Sequence, residues 1–178
     1  MRVFLAFDIP DDIKTQIHDI IKEKGKQIQG VKWVERENLH ITCKFLGEIN
    51  NHQLEELKRS LNESFNKNER IKINLKGFGA FPSFKRPRVL WIGVDGEKEK
   101  LVNVWRKVED ITRKMRIGEP ERDYTPHLTL GRVKSPMEFK PDFISYSSKE
   151  VIINTITIYQ STLTSQGPIY KKLGEVKL

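Results

Sequence analysis

One four-residue pattern occurs twice and constrains this chain more than any other feature: His40-Ile41-Thr42-Cys43 and His127-Leu128-Thr129-Leu130. Both copies sit in runs with strand character, where side chains alternate faces with period two. His40 and Thr42 therefore share one face, and Ile41, Cys43 and Phe45 take the other. His127 and Thr129 stand opposite Leu128 and Leu130 in the same way. The copies lie about half the length of the 178-residue chain apart. A polar pair on each half, backed by apolar residues, calls for two lobes that each offer an imidazole and a hydroxyl to a shared cleft.

Such a cleft has a definite chemistry. An unperturbed imidazole titrates near pH ~6.5, so two of them can divide general acid and general base work at neutral pH. A Thr hydroxyl beside each can donate a hydrogen bond to a non-bridging phosphate oxygen. A single His-x-Thr string arises often by chance, whereas two on matching strand-like runs do not.

The rest of the chain supplies a scaffold of the right kind. Arg2 to Ile9 alternates, with Val3, Leu5, Phe7 and Ile9 on one apolar face. A helix follows the Asp11-Asp12 start, carrying Ile13, Ile17, Ile20, Ile21 and Ile28 at helical spacing until Gly30. Val31 to Val34 reads as a short strand, and the first motif strand runs from about Leu39 to Leu46, closed by Gly47. Asn50 or Asn51 caps a second helix with the stripe Leu54, Leu57, Leu61 and Phe65. Ile71, Ile73 and Leu75 alternate as a half-exposed strand, Gly77 to Pro87 reads as a Gly/Pro loop, and Val89 to Val94 has the two-faced apolar character of a central strand. A third helix carries Leu101, Val104, Trp105, Val108, Ile111 and Met115. After the second motif, Val151 to Leu163 reads as one long strand that turns at Gln166-Gly167-Pro168 into a hairpin. The order implies an α+β fold with mostly antiparallel sheets, and residues 1–178 read as a single two-lobed domain.

Composition narrows the partners. The formal net charge of +8 favours an anionic one, nucleic acid first, and Lys85-Arg86-Pro87-Arg88 and Arg113-Lys114-Met115-Arg116 concentrate it. One cysteine precludes an internal disulfide framework and fits a reducing cytoplasm. No apolar run approaches the ~20 residues of a membrane span, and the brief apolar start reads as a strand, not as a signal peptide.

The stretches Asn38-Leu39-His40-Ile41-Thr42-Cys43-Lys44-Phe45-Leu46-Gly47-Glu48 and Thr125-Pro126-His127-Leu128-Thr129-Leu130-Gly131-Arg132 closely resemble the paired signatures of the 2H phosphoesterases. Within that superfamily the whole chain resembles the RNA 2′,3′-cyclic phosphodiesterases, also called 2′-5′ RNA ligases. The resemblance implies two pseudo-symmetric lobes, each an antiparallel sheet with flanking helices, around a V-shaped cleft. It implies His40 as proton donor to the leaving 3′ oxygen, His127 as the acceptor that activates water, and Thr42 and Thr129 as phosphate holders. The implied substrate is RNA ending in a 2′,3′-cyclic phosphate, hydrolysed to a 2′-phosphate by a monomer without metal or cofactor. Reversible 2′-5′ ligation of such an end to a 5′-hydroxyl end, as between tRNA halves, follows from the same geometry. Arg132 holds the family's basic position after the second motif, although strict alternation turns it away from His127 unless Gly131 bends the strand. Cys43 stands where the family usually has Leu.

Other candidates are weaker. Cys43 has core parity and reads as packing, not as a nucleophile. His18 and His52 read as surface residues on helices. Zinc takes three or four His, Cys or carboxylate ligands, and each motif offers only His plus Thr. Lys44 shares the parity of His40 and Thr42, which makes it a candidate cleft cation. Tyr124 is the favoured base-stacking residue among Tyr124, Trp33, Phe45, Phe81 and Phe84, and Phe45 is expected in the core. Two other readings remain open at this stage: a small-molecule cyclic phosphodiesterase and an RNA-binding module with a vestigial site.

Overall fold

The computed structural model describes residues 1–65 and 68–178. Strands β1 (Arg2–Phe7), β2 (Val31–Trp33), β3 (Ile41–Glu48), β4 (Ile71–Phe81), β5 (Val89–Gly96), β6 (His127–Val133), β7 (Val151–Ile153), β8 (Thr155–Thr164) and β9 (Gly167–Lys177) alternate with helices α1 (Asp11–Gly25), α2 (Asn51–Ser64) and α3 (Lys98–Met115). The strands join in the order β7-β4-β5-β6-β3-β1-β8-β9, with β2 added beside β6, and the pairings are antiparallel.

The two motif strands meet at the middle of that order. β3 and β6 share one residue pair, Ile41 opposite Leu128, while each is paired at greater length with its outer neighbour. With so short a ladder between them, the two half-sheets diverge from this pair and open the cleft. The halves are not successive halves of the chain. β8 and β9 come from the C-terminal end yet sit beside β1, and β2 comes from the N-terminal end yet sits beside β6.

The helices form for the reasons their sequences suggest. Asn50 Oδ1 accepts from the Gln53 amide at 2.9 Å while Gln53 Oε1 accepts from the Asn50 amide at 3.0 Å, a reciprocal cap that starts α2. Leu54, Leu57 and Leu61 of α2 and Leu101, Val104, Trp105 and Val108 of α3 are buried, and the two helices pack on each other. Ile13, Ile17 and Ile21 bury the inner face of α1. No helix is long and apolar enough to cross a membrane among the described residues.

Five element expectations change. α1 ends at Gly25, so Ile28 and Gly30 lie beyond the helix. β1 is buried on both faces, Phe4 and Ala6 as well as Val3, Leu5 and Phe7, because it lies between β3 and β8. β3 begins after His40 and runs through Gly47 to Glu48. The first half of the Gly/Pro loop is strand: β4 continues to Phe81 because a register shift between Leu75 and Phe78 absorbs Gly77, whose φ is +84°. Finally, the run from Val151 to Leu163 is two strands. β7 pairs with β4, β8 pairs with β1 and β9, and Asn154 between them is where the chain passes from one half-sheet to the other.

Candidate active site

The Ile41–Leu128 pair lies on the apolar side and both residues are fully buried. Extending the antiparallel register by one residue in each direction sets His40 opposite Thr129 and Thr42 opposite His127, all on the other face. The two half-motifs are thus related by a pseudo-twofold through the Ile41–Leu128 pair. Each histidine position is the cross-strand neighbour of the threonine position in the other motif.

The imidazoles are braced alike. Nδ1 of His40 lies 2.7 Å from the Asn38 carbonyl oxygen, and Nδ1 of His127 lies 2.7 Å from that of Thr125. A carbonyl only accepts, so each Nδ1 carries the hydrogen and each Nε2 is left to exchange protons. His40 Nε2 lies 2.9 Å from Thr42 Oγ1. Both brace residues stand two positions before their histidine, a repeat visible in the sequence but without meaning until the carbonyls are placed.

Aromatic rings cage both histidines. Phe4 and Tyr170 approach His40 at 5.1 and 5.5 Å between centroids; Phe81 and Trp91 approach His127 at 5.0 and 6.1 Å. Burial therefore dominates the titration of both. It pushes His40 down to about 4, against the opposing pull of the Asn38 carbonyl and the Asp8 carboxylate. It lowers His127 as well, and Arg132 adds to that lowering. Asp8 is itself held by the hydroxyls of Thr157 (2.7 Å) and Tyr159 (2.8 Å).

The cleft is about 1080 Å³, and its lining includes His40, Thr42, His127, Thr129 and Arg132. Arg132 reaches this face because the strand is not regular. Leu90 pairs with Gly131 and Trp91 with Thr129, so Leu130 is the extra residue of a bulge that reverses the parity beyond it. Gly131 is needed there, since a Cβ would stand 2.9 Å from Val31 Cγ1 and 3.0 Å from Trp33 Cε3.

β3 carries the same irregularity, which overturns two expectations. Ala6 pairs with Thr42 and Leu5 with Lys44, so Cys43 is the extra residue. Past it, Lys44 turns inward and Phe45 outward. Lys44 is 1% exposed, with Nζ 2.6 Å from Glu109 Oε2 and donating to the Glu119 carbonyl at 2.8 Å, so it is not a free cleft cation. Phe45 is not in the core but 51% exposed on the cleft. Tyr124 also lines the cleft, yet its ring is stacked on Trp105 at 5.4 Å and its hydroxyl donates to the Thr42 carbonyl at 2.8 Å. It acts as a strut between the second motif and the first motif strand, β3, which leaves Phe45 as the more open platform. Cys43 is buried, and burial raises its thiol far above the ordinary range, so it is inert packing. No group of three or more His, Cys, Asp or Glu side chains could hold a metal among the described residues.

Paired imidazoles, paired hydroxyls and a cation across a cleft in a bilobal antiparallel sheet make up the architecture of a 2H phosphoesterase. Residues 7–91 match the family model described as LigT-like phosphoesterase, a segment that holds the first motif and stops short of the second. Over its whole length the chain is similar to proteins named RNA 2′,3′-cyclic phosphodiesterase. One from Methanocaldococcus jannaschii is 39% identical, over 98% of this chain and 99% of the relative. Another, from Archaeoglobus fulgidus, is 40% identical over 97% and 98%. Among solved structures, the Thermus thermophilus protein TT0787 superposes with a TM-score of 0.84, covering 100% of this chain and 98% of that one at 23% identity. The chain belongs to the LigT-like phosphoesterase family.

Proposed function

We propose that the chain hydrolyses RNA ends that carry a 2′,3′-cyclic phosphate, leaving a 2′-phosphomonoester and a free 3′-hydroxyl. The observation that carries this reading is the matched bracing of the two imidazoles, each with Nδ1 on a carbonyl two residues upstream and Nε2 left for proton exchange. The whole-chain relatives named for this activity support it.

In the step proposed, water attacks phosphorus in line with the 3′ oxygen. His127 Nε2 takes a proton from the water as the new P–O bond forms, and the P–O3′ bond breaks as His40 Nε2 delivers a proton to the departing oxygen. Thr42 and Thr129 donate to the non-bridging oxygens, and Arg132 offsets charge on the phosphoryl group. Phe45 offers its exposed face to the terminal base. A 5′-hydroxyl RNA end in place of water yields a 2′-5′ linkage by the same proton transfers.

The free protein holds His40 neutral at ordinary pH, the wrong form for a donor. An anionic phosphate beside the ring favours the charged form and raises its pKa. The acid is thus armed by the substrate. The test is product analysis on an RNA ending in 2′,3′-cyclic phosphate: a 2′-phosphate is expected, and a 3′-phosphate or an unchanged end would refute the assignment.

A further inference from the structure

Lys32 and Arg132 stand directly opposite each other in the β2–β6 ladder, so their side chains share a face. Like charges in that position repel and destabilise a sheet. Both are exposed, both line the cleft, and no carboxylate forms an ion pair with either among the described residues. Glu35 and Glu37 also line the cleft without pairing to them. Here the sheet keeps an uncompensated dication beside its site.

The pair is also placed. Arg132 lies three residues past Thr129, roughly 10 Å along an extended strand, and is close enough to bias both His127 and Tyr170 across the cleft. Lys32 reaches farther out, with Nζ 3.7 Å from where a Cβ on Gly167 would stand, at the tip of the β8–β9 hairpin. That tip is fixed, since Asn38 Nδ2 donates to the Pro168 carbonyl at 3.0 Å. The two cations thus run from the reacting centre toward one end of the cleft. The reacting phosphate can occupy the Thr42–Thr129 position and touch Arg132, but Lys32 lies beyond it.

We propose that Lys32, with Arg132, forms a second anion subsite that binds the phosphodiester on the 5′ side of the terminal nucleotide and selects polynucleotide ends over cyclic mononucleotides. This rests on the functional reading above and adds to it the part of the substrate that is recognised. The bound phosphodiester relieves the repulsion between the two side chains, so the sheet is organised for a ligand with two phosphates in sequence.

The experiment compares kcat/KM on two probes, a nucleoside 2′,3′-cyclic phosphate with a 5′-hydroxyl and a dinucleotide ending in the same cyclic phosphate. The wild type is expected to prefer the dinucleotide. Lys32→Ala is expected to shrink that preference about five- to tenfold, the size of one exposed charge-assisted phosphate contact, mainly through KM. It should also make the salt slope for oligonucleotide binding shallower by about 0.7. Lys32→Arg is expected to keep the preference. An equal loss on both probes, or an unchanged preference ratio in Lys32→Ala, overturns the subsite while leaving the hydrolytic reading intact. A wild type that turns over neither probe overturns the hydrolytic reading, and the subsite falls with it.

Discussion

Phe45 and Arg132 occupy the same position in the two half-sites, five residues after His40 and His127, and both reach the cleft through a one-residue bulge. The extra residues, Cys43 and Leu130, are themselves equivalent and both buried. Pseudo-symmetry has placed a flat apolar face on one lobe and a cation on the other. A nucleotide has the same asymmetry, with a base at one end and a phosphate at the other.

That division of labour predicts how substitutions separate. Phe45→Ala should raise KM by about tenfold or more, since base–aromatic stacking contributes ~1–3 kcal/mol by alanine substitution. kcat should change far less. A fall in kcat at constant KM would instead tie Phe45 to the chemistry.

His40→Ala and His127→Ala should each lower kcat by about 10²–10⁴-fold, the usual cost of removing general acid or base catalysis. The fold should persist, because both rings face the cleft and the core beneath is made by Ile41 and Leu128. Circular dichroism and kinetics on the same preparations check this. Near-wild-type turnover in either variant refutes the two-histidine mechanism.

Activity should also survive exhaustive chelation with EDTA. Both histidines spend Nδ1 on a carbonyl and have Thr, not a metal-ligating residue, as their motif partner. Loss of turnover that zinc or manganese restores would show that Nε2 is a ligand and not a proton carrier.

Much of this was legible in the sequence, and the failures in the strands have one cause. The face shared by His40 and Thr42, the capped start of α2 and the helical stripes follow from period and local chemistry. Alternation then fails at Cys43 and Leu130, because nothing in either residue announces a bulge. The shift is set by how β3 and β6 pair with β1 and β5, which is tertiary information. It exchanged the expected environments of Lys44 and Phe45 and delivered Arg132 to the cleft. The break at Asn154 was hidden for the same reason, since each neighbouring run is strand-like and only the sheet topology says that they belong to different halves.

Lys44, once moved inside, makes a stability prediction. Its ammonium joins β3 to Glu109 of α3 and to the Glu119 carbonyl, in the segment that leads to Tyr124 and the Thr125 brace. Lys44→Met should destabilise the protein by about 3 kcal/mol, because removing one partner strands a mostly buried carboxylate. Adding Glu109→Gln should recover a good part of that loss. Urea unfolding of both singles and the double measures the coupling, and additive losses would mean that the ion pair contributes nothing specific.

The sharpest prediction concerns pH. In the proposed mechanism the active microstate has His40 protonated and His127 neutral, so activity falls both in acid, where both rings are protonated, and in alkali, where both are neutral. Both groups are depressed in the free protein, His40 to about 4 and His127 below its ordinary value, and burial is the first cause in each case. The bell of kcat/KM, which reports the free enzyme, should therefore lie on the acid side of the ordinary imidazole range. Bound phosphate is anionic and stabilises imidazolium, raising the pKa of any ring beside it. The bell of kcat, which reports the complex, should be displaced to higher pH, with its limbs belonging to the coupled pair and not to one named ring. Arg132→Gln removes a cation that lowers His127, so it should displace the kcat/KM bell toward higher pH, on its alkaline side, as well as weaken binding. Measuring kcat and kcat/KM across pH 4–9 for the wild type and this variant decides the matter. Superimposed bells would mean that substrate does not retune the histidines, and that a donor held near 4 must act through some other proton source.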